Sequence, residues 1–475
     1  MRNDVNRRSF LKRATLAAGA VATGLPGGEL RLLAAPGGRD KLNCAQIGCG
    51  TRGMVHLEWL VTQSHERIAA VVEPDETLQA QVKRWLQAHG VEPDKVRFFT
   101  DYRPMFDKLG GELDAVFIAT PNHHHAPAAR AAMQLGRAVY CEKPLCHDIA
   151  EARQLRQLAA AAKAPTQMGI QGHCHDGYRR LCEFVWGGVV GPITETHSWT
   201  NRANGGSGGR PATQPAPAGL HWEEWIGPAP FRAYHPGLHP HGWHGWYAFG
   251  NGSLGNMGCH VLDGVFWALK LEHPLSIELE SARDGSNERF PTGSRVRWDF
   301  PARGGLPPVK VYWYEGLKPG ADPRMIGKTD SVASEAQNFP PLLVKLREQY
   351  PEEDFDSSGT IYVGEKGILY TGTYGDRMHV LPREKMEAMS QPPRQLPRPK
   401  DVMSDFVGAC RQGQMETAAG FDYGARLTEF TFLGNLAQRA GAGVKLNWDG
   451  PAMKVTNHPE FNEWIQLPAR KGWSI

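Results

Sequence analysis

The sequence predicts an α/β chain that opens with parallel βαβ units, on three observations. A short apolar run, Lys41-Leu-Asn-Cys-Ala-Gln-Ile47, breaks into glycines at Gly48, Gly50 and Gly53. Strand-like and helix-like runs then alternate as far as Gln171, the order that builds a parallel sheet. The strand-like runs stop at polar residues, where an open parallel sheet binds its ligands.

The first run is a strand, a tight turn and the start of a helix. Its glycine spacing answers three needs: a turn, a close approach of backbone to a pyrophosphate, and packing of helix on strand. The pyrophosphate of a dinucleotide is expected where Thr51 and Arg52 open the helix, because free N–H groups and the dipole there favour negative charge. The next strand, Arg67-Ile-Ala-Ala-Val-Val-Glu73, ends on an acid placed where a ribose-binding carboxylate is expected. Glu73 also precedes Pro74 and Asp75, ordinary helix openers, so a helix-start role stays open.

In chain order the pattern gives a helix over Leu78 to His89, a strand over Val96 to Thr100 and a helix over Tyr102 to Leu109. Leu113 to Thr120 is the most strand-like run and ends in Pro121-Asn-His-His-His-Ala-Pro127, a loop expected to face a cofactor. A helix over Ala128 to Leu135 returns to the strand Ala138 to Cys141, which stops at Glu142-Lys-Pro-Leu145. Ile149 to Ala162 reads as a helix and Thr166 to Gln171 as a strand, so a dinucleotide domain is drawn over 37–168 and a second domain over 169–475.

In the second domain Tyr178 to Trp186 is helical and Ile193 to Trp199 opens a new sheet. Ala203 to Pro217 is a Gly, Pro and Ser-rich loop. Leu220 to His260 is crowded with Trp222, Trp225, Trp243 and Trp246, which suit either a carbohydrate-stacking rim or an aromatic core. His239, His241 and His244 lack the spacing and the Cys or acid partners of a metal centre, and no metal is predicted. Arg295 to Phe300 and Val309 to Tyr314 alternate as strands, Thr360 to Thr371 reads as a hairpin, and Asp401 to Arg411 and Ala425 to Arg439 as helices. Lys318 to Asp356 carries too little periodicity for an assignment, and no internal repeat is visible.

A length of 475 residues supports two or more domains. A formal charge of +3 with dispersed basic residues argues against nucleic acid or an anionic membrane as partner. The eight cysteines form no Cys-x-x-Cys pair and read as buried free thiols. The N-terminus differs from the rest. Asn6-Arg-Arg-Ser-Phe-Leu-Lys12, a short Ala/Gly-rich apolar run to Leu25 and Leu33-Ala-Ala-Pro36 read as an export signal over 1–36. Arg7 and Arg8 resemble a twin-arginine signal, which implies a folded protein passed to the periplasm or beyond. The apolar run is too short to span a membrane.

Gly48-x-Gly50-x-x-Gly53, Thr120-Pro-Asn-His-x-His125, Glu142-Lys-Pro144 and Gly255-Asn-Met-Gly-Cys-His-Val-Leu-Asp263 together resemble the glucose-fructose oxidoreductase, inositol dehydrogenase and rhizopine-catabolism (Gfo/Idh/MocA) family, in its exported branch. The resemblance implies a Rossmann domain followed by an α/β domain with a large, mainly antiparallel open sheet that faces the nicotinamide and mediates a homodimer or homotetramer. It implies NAD, held by Gly48, Gly50, Thr51, Arg52, Gly53, Glu73, Thr120, Asn122, His125, Glu142, Lys143 and Gln171. The implied chemistry is hydride exchange at a CH–OH of a sugar or polyol. Lys143 then faces the reacting oxygen, and His260 is the acid/base. Four residues before His260 the family commonly has aspartate, whereas this chain has Asn256, so that either His260 works without a carboxylate partner, or Asp263 supplies one, or the protein catalyses poorly. Since free NAD is scarce outside the inner membrane, an exported member must recycle a bound cofactor. It does so through a second carbonyl substrate, or as an NAD-dependent glycosidase that oxidises, eliminates and reduces. A non-catalytic sugar-binding protein that retains NAD is the third reading.

Overall fold

The computed structural model describes residues 41–473, and the export-signal reading lies outside that range. The run before Gly48 becomes β1 (Asn43–Ile47), at the centre of a parallel sheet with β2 (Arg67–Val72), β3 (Arg97–Phe99), β4 (Ala115–Ile118), β5 (Ala138–Glu142) and β6 (Thr166–Gly169). The strand order is β3-β2-β1-β4-β5-β6 and every pairing is parallel. The order reverses between β1 and β4, which leaves a crevice at their carboxyl ends beside Gly48. β4 and β5 are buried at every position, as strands covered on both faces must be.

The helices between these strands are α1 (Thr51–Glu58), α2 (Glu76–Ala88), α3 (Tyr102–Leu109), α4 (His125–Gln134) and α5 (Ile149–Ala161). Asp75, Asp101 and Asp148 cap α2, α3 and α5 by accepting first-turn N–H groups. Two boundaries move from expectation. α4 opens at His125 rather than Ala128, because His125 bonds back to the preceding loop, and Gln171 opens a 3-10 turn beyond β6 rather than ending the strand.

After α6 (Asp176–Trp186) the chain builds a second sheet from β7 (Ile193–Thr200), β8 (Ser276–Arg283), β9 (Gly293–Phe300), β10 (Val309–Gly316), β11 (Gly359–Gly364), β12 (Gly367–Gly372), β13 (His379–Leu381), β14 (Lys445–Asp449) and β15 (Lys454–Val455). The order is β13-β12-β11-β7-β10-β9-β8-β14-β15; only β7 and β10 pair in parallel. The helix Phe421–Ala440 is buried nearly all round, against β8 and β9 on one side and α5 on the other. Arg153 on α5 grips Glu429 of that helix with two N–H groups, at 2.8 and 2.6 Å. The segment that carried no pattern, 318–356, consists of short turns and the helix Pro341–Gln349. One apolar cluster, containing Ile47, Val116, Met168, Trp298 and Phe430, runs without a break from the first sheet to the second. All eight cysteines are buried and unpaired. Among the described residues no helix is long and apolar enough to cross a membrane.

A candidate dinucleotide and substrate cavity

The carboxyl ends of the parallel strands open into a cavity of about 870 Å³, within the range of about 300 to 1,000 Å³ usual for small-molecule sites. Its floor is the glycine turn. Gly48 has φ +82°, and a Cβ there would lie 2.7 Å from the carbonyl oxygen of Ala119. At Gly53 a Cβ would lie 2.0 Å from the oxygen of Gly48, so only glycine lets α1 settle on the turn. Gly50 is different: nothing lies within 4 Å of its missing Cβ, and it faces the cavity at the start of α1 with no side chain capping the helix. The first-turn N–H groups of α1 and the open floor at Gly50 fit a pyrophosphate. Thr120 Oγ1 and Glu142 Oε2, both on wall residues, are buried without a partner and are free to meet a dinucleotide.

Glu73 lines the β2 side. Its oxygens accept from Cys49 N (2.8 Å) and Asp75 N (3.0 Å), so it is not the helix cap; Asp75 is. Burial pushes the Glu73 carboxyl up to about 7 against the pull of those two N–H groups. On the opposite side, at the end of β5, Glu142 Oε1 accepts from Arg52 Nε (3.1 Å) and Nη2 (2.8 Å) and lies 3.0 Å from His56 Nε2. Burial works against the Glu142 anion, but His56 and Arg52 outweigh it and hold the acid well below the usual carboxylate range. His125 braces two loops, with Nδ1 2.7 Å from Pro144 O and Nε2 2.8 Å from Thr120 O. Asn122 donates to Asn251 Oδ1 at 2.9 Å and, like Thr51 and Gln171, lines the cavity.

Lys143 enters from the same β5 end. Its Nζ donates to the main-chain oxygen of Asn256 at 2.5 Å and approaches Asn256 Oδ1 at 3.3 Å. Asn256 Nδ2 donates to Asn204 Oδ1 (2.9 Å), and Asn204 Nδ2 donates to Asp330 Oδ2 (2.7 Å). A lysine at one end only donates and a carboxylate at the other only accepts, so both amides in between have a fixed sense. The amide at 256 therefore has a structural reason to be an amide. Burial lowers the Lys143 ammonium below its ordinary value, with the nearby Glu142 opposing.

His260 faces the cavity from the turn that follows the π-helical stretch Leu254–Gly258, a geometry common at functional sites. Its Nδ1 is buried without a partner, and its ring stands edge-on to Tyr374 with centroids 4.9 Å apart. Burial first, and then the charge of Lys143, hold it well below the ordinary imidazole value. Asp263 corrects the expectation that it could partner His260. The helix restarts at Asp263 and turns its carboxylate away, to Tyr423 OH at 2.5 Å and His173 Nδ1 at 3.0 Å, and it does not line the cavity.

The roof comes from the second domain, but not from its sheet face as expected. That sheet reaches the wall only through residues just past its strands, Arg202 after β7 and Tyr374 after β12. Beside Asn256 and His260, much of the roof is the aromatic segment, which is bonded to the β2–α2 corner: Glu76 N donates to Gly219 O, His221 N donates to Pro74 O, and His239 Nε2 lies 3.0 Å from Asp75 Oδ2. Trp225, Trp243 and Trp246 are buried in one cluster with Phe249, so they are mainly the core of this strap; Trp225 and Trp243 also face the cavity. Of the three histidines noted in the sequence, His241 and His244 stay together, edge-on with ring centroids 5.1 Å apart. His239 meets Asp75, His241 lies 3.2 Å from Asp330, and His244 stacks on Trp243. Trp473, near the end of the chain, closes the β3 side, edge-on to Tyr102 and His124. Arg202, Asn204, His56 and Tyr374 were not singled out from sequence, because none lies in a motif and each acquires its place from a distant segment.

Residues 42–170 match the family model described as an oxidoreductase family with an NAD-binding Rossmann fold, and residues 194–299 match the C-terminal α/β domain of the same family. Both matched segments are those of the Gfo/Idh/MocA oxidoreductase family. The first is thus an NAD-binding domain. An inositol 2-dehydrogenase of Leifsonia xyli subsp. xyli is 32% identical over 148 residues, 31% of this chain, and the match spans 41% of that relative's length. Among solved structures, the aldose-aldose oxidoreductase from Caulobacter crescentus, complexed with glycerol, superposes with a TM-score of 0.55 at 16% identity, over 86% of this chain and 100% of that one. An inositol dehydrogenase homologue from Azotobacter vinelandii, complexed with NADH and myo-inositol, has a TM-score of 0.53 at 16% identity, over 86% of this chain and 98% of that one. These two likenesses concern the fold.

Proposed function

We propose that this Gfo/Idh/MocA protein is an NAD-dependent oxidoreductase acting on a CH–OH group of a sugar or polyol, with the cofactor kept bound and recycled within each cycle. The observation that carries the reading is the convergence of Lys143 and His260 on the β5–β6 end of the cavity, beyond the phosphate cradle at Gly50. When bound, NAD supplies a hydride acceptor and donor. The chain does the rest. Lys143 presents an ammonium to the oxygen of the reacting carbon, where it stabilises a forming alkoxide or polarises a ketone. His260, kept neutral by burial, takes the hydroxyl proton. Asn256, locked by Asn204, aims the lysine. The strap over Asp75 and Glu76 and the tail at Trp473 cover the adenosine side and support retention of the cofactor. Export through the twin-arginine route and association through the nine-stranded sheet remain part of the proposal.

The test is release of cofactor from purified protein by denaturation, followed by mass spectrometry. NAD is expected rather than its 2′-phosphorylated form, because Glu73 occupies the position that accepts ribose hydroxyls; a dominant NADP signal would remove Glu73 from that role. The NAD-loaded protein is then offered free sugars and glycosides. Reduction of the bound cofactor without loss of an aglycone supports the oxidoreductase, whereas release of a leaving group with no second redox partner points to the NAD-dependent glycosidase.

Asn256→Asp tests the site itself. A carboxylate there sets an oxygen against Asn204 Oδ1, and Asn204 cannot turn over without opposing Asp330. The expected result is a loss of about 1–3 kcal/mol in stability, the cost of an unpaired buried polar group, together with reduced turnover. Higher activity in that variant, measured beside its thermal unfolding, would mean that a missing carboxylate limits catalysis.

A further inference from the structure

The charged side chains of the cavity wall are segregated along the sheet. At the β2 and β3 end the wall carries Glu73, Glu224 and Asp101, the last engaged by Arg103 from behind the wall, and among the described residues no lysine or arginine lines it; at the β5 and β6 end it carries Lys143, Arg52 and Arg202 against the single carboxylate of Glu142. Glu142 is engaged by Arg52 and His56. Lys143 is accounted for by the reacting oxygen. Arg202 is accounted for by neither.

Arg202 stands directly after β7, partly buried, where its backbone pairs with Ser331. Nη1 donates to Thr329 O and to Ser331 Oγ. This leaves Nε and Nη2, the two donors on one edge of the guanidinium, without a protein acceptor among the described residues. The carboxylates on neighbouring segments are taken and do not line the wall: Asp330 accepts from Asn204 and faces His241, and Asp376 lies 3.7 Å from His175. The Arg202 charge acts on Lys143, His244 and Tyr374, all of them wall residues, which places it at the substrate end. Asn256, between Lys143 and Asn204, is neutral and offers an anion no repulsion.

A planar pair of N–H groups matches two oxygens of one anionic group, a carboxylate or a phosphate, better than it matches a single hydroxyl. We propose that the substrate is a sugar acid, a uronic or aldonic acid, whose carboxylate is received by Arg202 while its reacting hydroxyl meets Lys143. The inference rests on the oxidoreductase reading and names the substrate class of that same site.

The experiment uses NAD-loaded protein and matched probes: D-glucuronate against D-glucose, D-galacturonate against D-galactose, D-gluconate against sorbitol, and glucose 6-phosphate as a second anion. Binding is read by calorimetry, and cofactor reduction separately by near-ultraviolet absorbance. At least one acid is expected to bind about 10- to 100-fold more tightly than its neutral counterpart, the worth of a charge-assisted pair. Arg202→Gln should erase that margin and Arg202→Lys should keep part of it, with thermal unfolding showing that both variants fold. Equal affinity within every pair, no binding of any acid, tighter binding of the phosphate ester, or loss of NAD from the Arg202→Gln protein would each overturn the proposal. An acid that binds with an Arg202-dependent margin yet reduces no cofactor leaves Arg202 as the carboxylate site and sinks the oxidoreductase reading instead.

Discussion

Lys143→Ala is expected to lower turnover by about 10²- to 10³-fold, the typical effect of one preorganised donor aimed at a developing oxyanion, while the protein keeps its NAD. The cofactor is expected to stay because the phosphate cradle at Gly50 and the carboxylate of Glu73 lie apart from the lysine, toward β1 and β2. The pH profile supplies a second readout. Burial depresses the Lys143 ammonium, so the charged form is lost as pH rises through a value below the ordinary lysine range of about 10.4. The basic limb of activity should therefore fall below that range in the wild type and vanish in the alanine variant. Single-turnover reduction of bound cofactor across pH measures both, and full activity in Lys143→Ala would remove the lysine from the chemistry.

The second large effect is expected at His260, where alanine should cost about 10²- to 10⁴-fold in rate if the imidazole moves the proton. Its neutral form is favoured by burial and by the charge of Lys143, so protonation comes only at a pH well below about 6.5. Oxidation of an alcohol needs the neutral base. Activity should accordingly persist through mildly acidic pH and decline only as the lowered value is crossed, and this acid limb should be absent from His260→Ala. A wild-type limb centred at or above the ordinary imidazole value would show that another group titrates. Asp263 does not replace His260 or assist it, since its carboxylate is engaged by Tyr423 and His173.

The two expectations separate at the level of geometry. Loss of Lys143 also removes a donor from Asn256, so part of the rate loss could arise from a shifted amide chain. Among the described residues, loss of His260 disturbs no side-chain hydrogen bond of its own, because Nδ1 has no partner there and the neighbouring contact is the face-to-edge packing on Tyr374. The His260 variant is thus the cleaner measure of proton transfer, and the Lys143 variant of charge stabilisation.

By itself the sequence determined the parts of this protein that depend on local backbone geometry. Gly48 and Gly53 are glycines because a Cβ would strike Ala119 and the Gly48 carbonyl, and such contacts leave a spacing that can be read in one dimension. The alternation of strands and helices set the parallel sheet, and the polar residues at strand ends, Thr120, Glu142 and Lys143, had to reach the crevice because a strand carries its last residue to the sheet edge. Tertiary structure alone decided which distant groups meet there. Lys143 and Asn256 are held in register with Asn204 and Asp330, which come from two loops without pattern. Arg202 and Tyr374 reach the wall because β7 and β12 end beside it, and the tryptophan-rich segment became a strap because His239 and Gly219 bond to the corner after β2. The same limit misled the reading of Asp263. A side chain's position along a helix was legible, but the restart of the helix at that residue, which turns the carboxylate to Tyr423 and His173, follows from packing against α6 and the helix Phe421–Ala440. Motifs record what a chain needs from its neighbours in sequence, whereas hydrogen-bond partners and field strengths in a buried site depend on neighbours in space.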